Sequence, residues 1–302
     1  MIIVADDLHI GTMKFVMALE ESYSQDVEVF ARRITQWDLQ RHLNCPINFW
    51  YSESKIIHQL PTYRKGVYIL MGDAMRFSKS FRRLVPDATI VGFTHNPPDE
   101  NHVDVASLSG IIYQNEEFRK NSACAKELPS CVFYPMVPSI LHSVHGRSYR
   151  LGGVAFTGGF DCNHSWRDAR AVCSSLLQRG IVSHVYPGFG VPGEVLTEYD
   201  CIGCCVHSCY GYEEMLRRLA THDFVYCGGY AGSIGEIVKN KEFDAIAAGV
   251  EILSNDAPGL ERMLEPYRGQ DLHGFKRYRA PVTPFFAESQ VPAFEQWMEG
   301  LA

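Results

Sequence analysis

The chain has 302 residues, 46% of them hydrophobic, so it can bury one large core or two ordinary ones. Its 28 basic and 35 acidic residues give a formal net charge of −7, which does not favour a general nucleic-acid binder but leaves room for a local basic patch. No apolar run reaches the roughly 18 residues of a membrane-spanning helix, and the first residues lack the pattern of a secretory signal. We therefore expect a cytoplasmic protein whose ten cysteines are reduced thiols.

The first half alternates short apolar runs with segments that suit helices. A first strand is predicted at Met1–Ala5 and a helix from about Met13 to Glu20. This alternation predicts an α/β fold with a parallel sheet covered on both faces. The further predicted strands are Val27–Phe30, Ile47–Tyr51, Val67–Met71, Thr89–Phe93, Ile111–Tyr113 and Val132–Tyr134.

Two loops of the first half carry candidate functional residues. In the loop after the first strand, Asp7 and His9 could contact an acceptor, and Gly11 suits a close approach of backbone. Alternatively, an acid here only supports the turn. The loop after the Thr89–Phe93 strand contains prolines that exclude a helix, and its His95 is a candidate acceptor or donor contact. A turn histidine without a chemical role is the alternative.

Four basic residues between two predicted strands fall at helical spacing on one face. They could hold an acidic acceptor such as a phosphorylated or nucleic-acid substrate, or they could form a solvated helix face. They are Arg76, Lys79, Arg82 and Arg83.

The second half begins after a predicted linker, Pro135–Arg150. A strand ends in Gly158 and Gly159, and another is predicted at Ser183–Pro187. The helix Tyr212–Ala220 has apolar residues on one side, and the tail Glu288–Leu301 is amphipathic.

The segment Cys201–Val206 has two interpretations. Cys201, Cys204, Cys205 and Cys209 supply enough thiols for zinc, but no second ligand pair stands at a matching distance. The segment is also typical of a buried strand, in which thiols act as small hydrophobic groups. We favour the strand.

The most informative stretch is Tyr226–Asp256. A strand ends at Tyr226, a glycine-rich loop follows, and a helix is predicted from about Val238 to Ala248. A second strand follows at Val250–Leu253. Glycine-rich backbone at a helix start offers N–H groups and a positive dipole end to a phosphate. Two acids mark the stretch, Glu236 in the loop and Asp244 in the helix, with seven residues between them.

This stretch resembles the nucleotide-sugar signature of retaining GT-B glycosyltransferases, in which two glutamates are separated by seven residues. The amino-acid sequence of Asn240–Gly249, followed by that of Ser254–Pro258, is most similar to the spore-maturation branch, within glycosyltransferase group 1. One departure is that the second acid is Asp244, which is one methylene shorter than glutamate. The resemblance covers about Gly153–Leu264, and the first half matches only in its pattern of strands.

The resemblance implies two Rossmann-like domains facing a cleft. Residues 1–140 would form the acceptor-side domain, residues 151–285 the nucleotide-sugar domain, and residues 286–302 a helix crossing back to the first domain. It implies transfer from a nucleotide diphosphate sugar with retention of configuration, with no cofactor and no metal required. The acceptor is left open as a glycan, a protein, a small molecule or a nucleic acid.

The resemblance also implies roles for individual residues. Glu236 would contact the donor sugar or its phosphate, and Asp244 the ribose. Arg167 and Arg170 are the cations available to neutralise the leaving diphosphate, with Lys239 and Lys241 as alternatives, and His95 remains a catalytic candidate in the first domain. Fixed cations there would lower the barrier to departure. The donor-binding candidates are Gly158, Gly159, Gly232, Ser233, Gly235, Lys241 and Asp244.

Two other classes of protein fit the same residues. One is a different nucleotide-sugar enzyme, such as an epimerase, and the other is a non-catalytic nucleotide-sugar or partner-binding module. A nucleic-acid base glycosyltransferase is a narrower variant of the transferase, suggested by the basic residues between Arg76 and Arg83.

Overall fold

The computed structural model of the chain describes residues 1–23, 26–52, 55–56, 66–94, 103–142, 149–160, 168–228 and 238–301, and the structural statements below concern these residues. They fall into two compact units. Unit 1 comprises Met1–Pro138 together with Ala287–Ala302, and unit 2 comprises Ser139–Phe286. Within the described ranges, no helix combines the length and hydropathy needed to cross a bilayer.

Unit 1 is built on a parallel sheet with seven strands among the described residues, in the order β3-β2-β1-β4-β5-β6-β7. The order reverses between β1 and β4, where Val4 pairs with Phe30 on one side and Leu70 on the other. The strands are β1 Ile2–Leu8, β2 Glu28–Ile34, β3 Ile47–Phe49, β4 Val67–Met71, β5 Thr89–Thr94, β6 Gly110–Tyr113 and β7 Ser130–Val132.

The core of unit 1 lies on both faces of this sheet, which explains why its central strands are almost continuously apolar. On one face Phe15 packs against Phe93, Phe133 and Phe294, so residues near both ends of the chain share one aromatic cluster. The helices of unit 1 are α1 Ile10–Ser22, α2 Ser78–Leu84, α3 Glu116–Asn121, α4 Cys124–Glu127 and α11 Val291–Glu299.

Unit 2 is built on a second sheet, with six described strands in the order β10-β9-β8-β11-β12-β13. All pairs are parallel except β12 with β13. The strands are β8 Val154–Gly158, β9 Ser183–Pro187, β10 Cys205–Val206, β11 Phe224–Tyr226, β12 Glu251–Ser254 and β13 Lys276–Tyr278. The helices are α5 Ser139–His142, α6 Arg170–Leu177, α7 Gly193–Cys201, α8 Tyr212–Leu219, α9 Asn240–Ala247 and α10 Pro258–Leu264.

Several predicted elements are confirmed, and one is wrong. The strands β4 and β9 have the predicted bounds. The predicted strand Cys201–Val206 is shorter, because Cys201 ends α7 and only Cys205 and Val206 pair with β9. The cause is Gly203, whose φ of +90° forms the turn that separates helix from strand.

The predicted basic face between Arg76 and Arg83 is also corrected. Arg82 donates hydrogen bonds to the carbonyls of Ser107, Pro86 and Ala88 and to the hydroxyl of Ser109. A guanidinium engaged in this way holds the chain around β5 together and is not available to a ligand. Arg76 lies outside α2, in the 3-10 helix Gly72–Phe77.

Candidate functional site

The candidate site lies in unit 2, at the carboxyl edge of its sheet. The strand order reverses between β8 and β11, so the chain leaves these two neighbouring strands in opposite directions. The crevice beyond the carboxyl ends at such a switch point is where open α/β sheets bind ligands. Residues that follow β8, β9, β11 and β12 therefore define the site.

The β8 side of this edge is exposed glycine backbone. Gly158 has a φ of +122°, which residues with a side chain rarely adopt, and, apart from its two chain neighbours, no described residue has an atom within 4 Å of the position a Cβ would take. Its carbonyl accepts a hydrogen bond from the N–H of Gly188 at 2.8 Å, which joins the ends of β8 and β9. Gly159 is exposed beside it. Gly158 and Gly159, both predicted binding residues, thus leave space for a ligand.

The β11 side is joined to β12 by side-chain hydrogen bonds. The hydroxyl of Ser254 donates to the carbonyl of Cys227 at 2.9 Å, and the hydroxyl of Tyr226 donates to Asn255. Gly228 lies against the Tyr226 ring, leaving no room for a Cβ. Asp256 has a φ of +50°, an uncommon conformation that tends to occur at functional sites. These contacts join the carboxyl end of β11 to the carboxyl end of β12.

The first turn of α9 combines two lysines with a buried glutamate. The Glu242 carboxylate accepts a hydrogen bond from the N–H of Lys239 at 2.6 Å, and its side chain is fully buried. Among the described residues, its other oxygen, Oε1, has no hydrogen-bond partner. Lys239 and Lys241 are half-buried. Two cations at the positive end of a helix dipole favour an anion.

The electrostatics of this turn shift two pKa values. Burial raises the pKa of the Glu242 carboxyl to about 7. Burial, followed by repulsion from Lys241, lowers the pKa of the Lys239 ammonium. Both shifts express the cost of placing charge in a desolvated turn. An anionic ligand beside the lysines would offset that cost for Lys239.

The buried carboxyl predicts a pH dependence of stability. Native Glu242 keeps its proton to a higher pH than the unfolded chain does, so its contribution to the free energy of unfolding is greatest below about pH 4.5 and falls as the pH rises through 7. The loss amounts to about 3 kcal/mol. Glu242→Gln is neutral throughout and should lack this loss, so the variant should gain stability relative to the wild type between pH 5 and 8.

Denaturant titrations of both proteins at several pH values would measure this difference. The wild type serves as the reference for other groups, including His184, whose pKa burial lowers to about 4 and whose effect on stability has the opposite sign. Because His184 is present in both proteins, its effect cancels. Parallel pH profiles for the two proteins would contradict the role assigned to Glu242.

Asp244 lies in the second turn of α9 and is held by a residue that the sequence did not single out. The Tyr212 hydroxyl donates to Asp244 Oδ1 at 2.5 Å, and both side chains are buried. This bond ties α9 to the first residue of α8 and orients the carboxylate. Tyr212 is 32 residues away in the chain and belongs to no motif, so no sequence signal could have found it.

The other predicted residues of unit 2 differ in outcome. The Arg170 guanidinium is bound by two carboxylates, at 2.7 Å from Asp168 and in contact with Glu198. Its charge is thus balanced within the protein, which corrects its role as an alternative cation for the diphosphate. The remaining candidates, in both units, lie outside the described residues: His95, Arg167, Gly232, Ser233, Gly235 and Glu236.

In unit 1 the loop after β1 is held by its own polar groups. Asp7 accepts a hydrogen bond from Thr35 at 2.7 Å and pairs with Arg33 at 3.0 Å. Asp7 lies within β1, beyond the predicted end of that strand, and these contacts join it to β2 and to the residue that follows β2, so its role is structural. His9 caps α1, because its Nδ1 accepts from the N–H of Gly11 at 3.0 Å. A side chain at Gly11 would collide with Gln114, whose buried amide nitrogen has no hydrogen-bond partner in the part of the chain that the structure describes.

Unit 1 also has a groove of about 420 Å³ at the same edge of its sheet. We call it the aromatic–basic groove, and its lining residues are Arg32, Trp50, Tyr51, Ser52, Arg76 and Phe77. A larger cavity, of about 540 Å³, lies in unit 2 at the opposite edge, where β11 and β12 begin. Its arginines Arg150 and Arg277 are paired with Asp223 and Glu251.

The cysteine cluster has no described metal geometry. Cys201, Cys205 and Cys209 are exposed, whereas Cys204 is buried, and the described cysteines are free thiols. Within the described ranges no group of three or more histidine, cysteine or acidic side chains could hold a metal ion. Burial raises the pKa of the Cys227 thiol, so this cysteine beside the candidate site is a poor nucleophile.

Comparison with known proteins identifies the fold. No family model matches the chain, and no curated protein sequence matches it significantly. Solved structures do match. AviGT4, a glycosyltransferase involved in avilamycin A biosynthesis, has a TM-score of 0.61 at 14% identity over 99% of this chain and 97% of its own. The chain has the GT-B fold. This confirms the predicted fold class.

Two other structures with this fold are similar over nearly the whole chain. An alpha-glucosyltransferase in complex with UDP and a 13-mer DNA containing an HMU base has a TM-score of 0.59 at 12% identity, over 99% of this chain and 89% of its own. A glycosyltransferase from Rickettsia africae ESF-5 has a TM-score of 0.60 at 9% identity, over 100% of this chain and 88% of its own. At sequence identities this low, the structural similarity establishes the fold and does not identify the substrates.

Proposed function

We propose that this GT-B chain is a glycosyltransferase that moves a sugar from a nucleotide diphosphate sugar to an acceptor hydroxyl, with retention of configuration. One observation carries the proposal. At the switch point of unit 2, exposed glycine backbone after β8 faces the same edge as a helix that begins with two lysines, Lys239 and Lys241. Backbone N–H groups, a helix N-terminus and fixed cations together suit a diphosphate.

The chemistry follows from where negative charge develops. When the bond between the sugar C1 and the diphosphate oxygen breaks, the electron pair leaves with the diphosphate. Lys239 and Lys241 would stabilise that charge, and their desolvation strengthens the interaction. Asp244, oriented by Tyr212, would accept hydrogen bonds from the ribose hydroxyls of the donor.

Retention and the branch of the family rest on the sequence resemblance. The sequence of Asn240–Gly249 resembles that of the spore-maturation branch of retaining enzymes. Glu236 and Asp244 have the same spacing as the two glutamates of the nucleotide-sugar signature. We propose that the acceptor attacks from the side that the diphosphate leaves, with the leaving phosphate accepting the hydroxyl proton. The anomeric configuration of the product, measured by NMR, would test this part separately.

The solved relatives support a nucleotide-sugar donor. The alpha-glucosyltransferase structures contain UDP or UDP-glucose, together with DNA. The donor of this chain is therefore sought first among uridine diphosphate sugars, then among guanosine, adenosine and thymidine diphosphate sugars. We propose no metal or cofactor requirement.

The test is a thermal-shift and hydrolysis screen of the full chain against these four classes of donor. We expect one class to raise the melting temperature and to be hydrolysed slowly. The double variant Lys239→Gln/Lys241→Gln should bind that donor at least 10-fold more weakly, because two cations leave the diphosphate site. Lys126→Gln, which removes an exposed lysine of unit 1, is the matched control and should behave as the wild type.

The outcomes separate this proposal from its rivals. An epimerase would change the sugar without releasing the nucleoside diphosphate, whereas a binding module would show the shift without hydrolysis. Absence of a shift with every donor would rule out the transferase. If the double variant and Lys126→Gln bind the donor with equal affinity, the start of α9 does not form the donor site.

A further inference from the structure

The aromatic–basic groove of unit 1 combines aromatic and basic side chains that have no role in the proposed donor site of unit 2. Its walls come from three neighbouring places at the carboxyl edge of the sheet. The segment after β3 supplies Trp50, Tyr51 and Ser52, β2 supplies Arg32, and the 3-10 helix after β4 supplies Arg76 and Phe77. The described residues that line it include no acidic side chain.

The aromatic side of the groove is rigid at its base and open at its rim. Trp50 is buried, donates its indole N–H to the carbonyl of Ala5 at 3.2 Å, and packs edge-on against Phe77 at 5.7 Å between ring centroids. Tyr51, next to it, is 74% exposed. The solvent-exposed ring of Tyr51, next to the buried rings of Trp50 and Phe77, is a surface on which a planar group can stack.

The basic side provides charge beside that ring. Arg76 is exposed, and its guanidinium lies 4.8 Å from the centroid of Phe77. Within the described chain it has no carboxylate partner. The Lys55 ammonium lies 4.7 Å from the Tyr51 ring centroid. Arg32 shares its charge with Asp6, at 3.1 Å. Arg76 and Lys55 thus each lie beside an aromatic ring of the groove, and Arg32 is already paired with an acid.

Stacking rings interleaved with cations match the two halves of a nucleotide, because every base has a π-face and every backbone phosphate has a charge. A neutral glycan would leave the cations unused, and an inorganic anion would leave Tyr51 unused. The −7 net charge of the chain gives no general attraction to polyanions, so the contacts within the groove must supply the affinity.

We propose that this groove binds a single-stranded nucleic acid and that a nucleotide of the strand is the sugar acceptor. The inference rests on the proposed transferase function and names its acceptor. In the transfer, a hydroxyl oxygen of the nucleotide forms a bond to C1 of the sugar and the bond from C1 to the diphosphate oxygen breaks. The hydroxyl proton passes to the leaving nucleoside diphosphate, so atoms and charge balance.

The binding test uses the full chain and a fluorescein-labelled 12-residue oligouridylate, whose riboses carry the 2′-hydroxyls that a transfer needs, and follows binding by fluorescence anisotropy. An excess of the nucleoside diphosphate of the donor is present, so that the strand cannot report on the donor site. Tyr51→Ala should weaken binding about 10-fold or more, because stacking of a base on an aromatic ring is worth about 1–3 kcal/mol. Tyr51→Phe keeps the ring and should bind within about twofold of the wild type.

Charge is tested by salt dependence. Two phosphate contacts, to Arg76 and Lys55, predict a slope of about −1.4 for the logarithm of the binding constant against the logarithm of the salt concentration. Arg76→Gln should make that slope shallower by about 0.7. Lys126→Gln and Trp37→Ala remove an exposed cation and a 61% exposed aromatic ring outside the groove, and both should behave as the wild type.

The possible outcomes are distinguishable from failure of the donor proposal. No strand binding while a nucleotide sugar still raises the melting temperature overturns this inference and leaves the transferase intact. Equal competition by inorganic polyphosphate, or competition by a neutral oligosaccharide, also overturns it, because either shows a site that does not read a base. Strand binding with no donor binding overturns the acceptor role. Transfer of labelled sugar to the strand, lost in Tyr51→Ala, supports it.

Discussion

Asp244→Asn should lower kcat/KM for the nucleotide sugar by about 100-fold, mainly through KM. The carboxylate accepts a hydrogen bond from Tyr212 at 2.5 Å and, in the proposed complex, others from the ribose. A charged acceptor is worth about 1.5–3 kcal/mol per hydrogen bond, and about 3 kcal/mol corresponds to the 100-fold loss. Because the ribose is held in both ground and transition states, the loss falls on binding. Steady-state kinetics with the donor identified in the screen measures it.

Two further variants show whether the effect comes from the ligand contact. Tyr212→Phe keeps the carboxylate and removes only its buried partner, so we expect a loss of about 10-fold. Asp200→Asn replaces an exposed acid at the far end of α7 and should change nothing. If Asp244→Asn lowers the melting temperature but leaves KM unchanged, Asp244 is a structural residue and the ribose contact must be assigned elsewhere.

Phe15→Ala should destabilise unit 1 by about 3–5 kcal/mol, the largest effect on stability that we expect. The ring is 1% exposed, and its centroid lies 4.8 Å from that of Phe93, 4.7 Å from Phe133 and 5.7 Å from Phe294. Removing it leaves a cavity lined by three other rings, which are too large to close over it. The cluster joins α1 and β5 to α11, so the loss should loosen the C-terminal helix as well.

Hydrogen exchange of the β1 amides reports the stability of unit 1 separately from that of unit 2. Protection at Ile3 and Val4, both completely buried, should fall by the full 3–5 kcal/mol in Phe15→Ala. Phe15→Leu refills part of the volume and should cost less. Trp37→Ala is the surface control, with an expected change within about 0.5 kcal/mol. Equal protection in Phe15→Ala and Trp37→Ala would contradict the central place given to the cluster.

Elements that are buried on both faces were predictable residue by residue. The strand Val67–Met71 is a continuous apolar run because helices cover both sides of a parallel sheet, and such a run needs no tertiary information to recognise. The edge strand Lys276–Tyr278 was missed for the opposite reason. Its first two residues are charged and half-buried, so its hydrophobic pattern is absent, and only pairing with β12 makes it a strand.

Single residues were harder than elements, because their roles depend on contacts between distant parts of the chain. Arg82 has the spacing of a ligand-facing cation, yet four oxygens that converge on it make it structural. The same holds for Arg170, whose charge is neutralised by Asp168 and by Glu198 from the next helix. The sequence shows that an arginine is present, and only the fold shows whether a carboxylate or carbonyl of the protein already binds it.

The sequence by itself determined the α/β class, because that class depends on local periodicity, and its resemblance to GT-B enzymes implied the fold that the solved structures confirm. The tertiary structure alone decided that Tyr212 orients Asp244 and that Glu242 is buried with a raised pKa. It also placed an exposed tyrosine in one groove with an arginine that has no carboxylate partner among the described residues. The physical reason is that hydrogen bonding, desolvation and charge pairing act through space. Each is set by neighbours that lie tens of residues away along the chain.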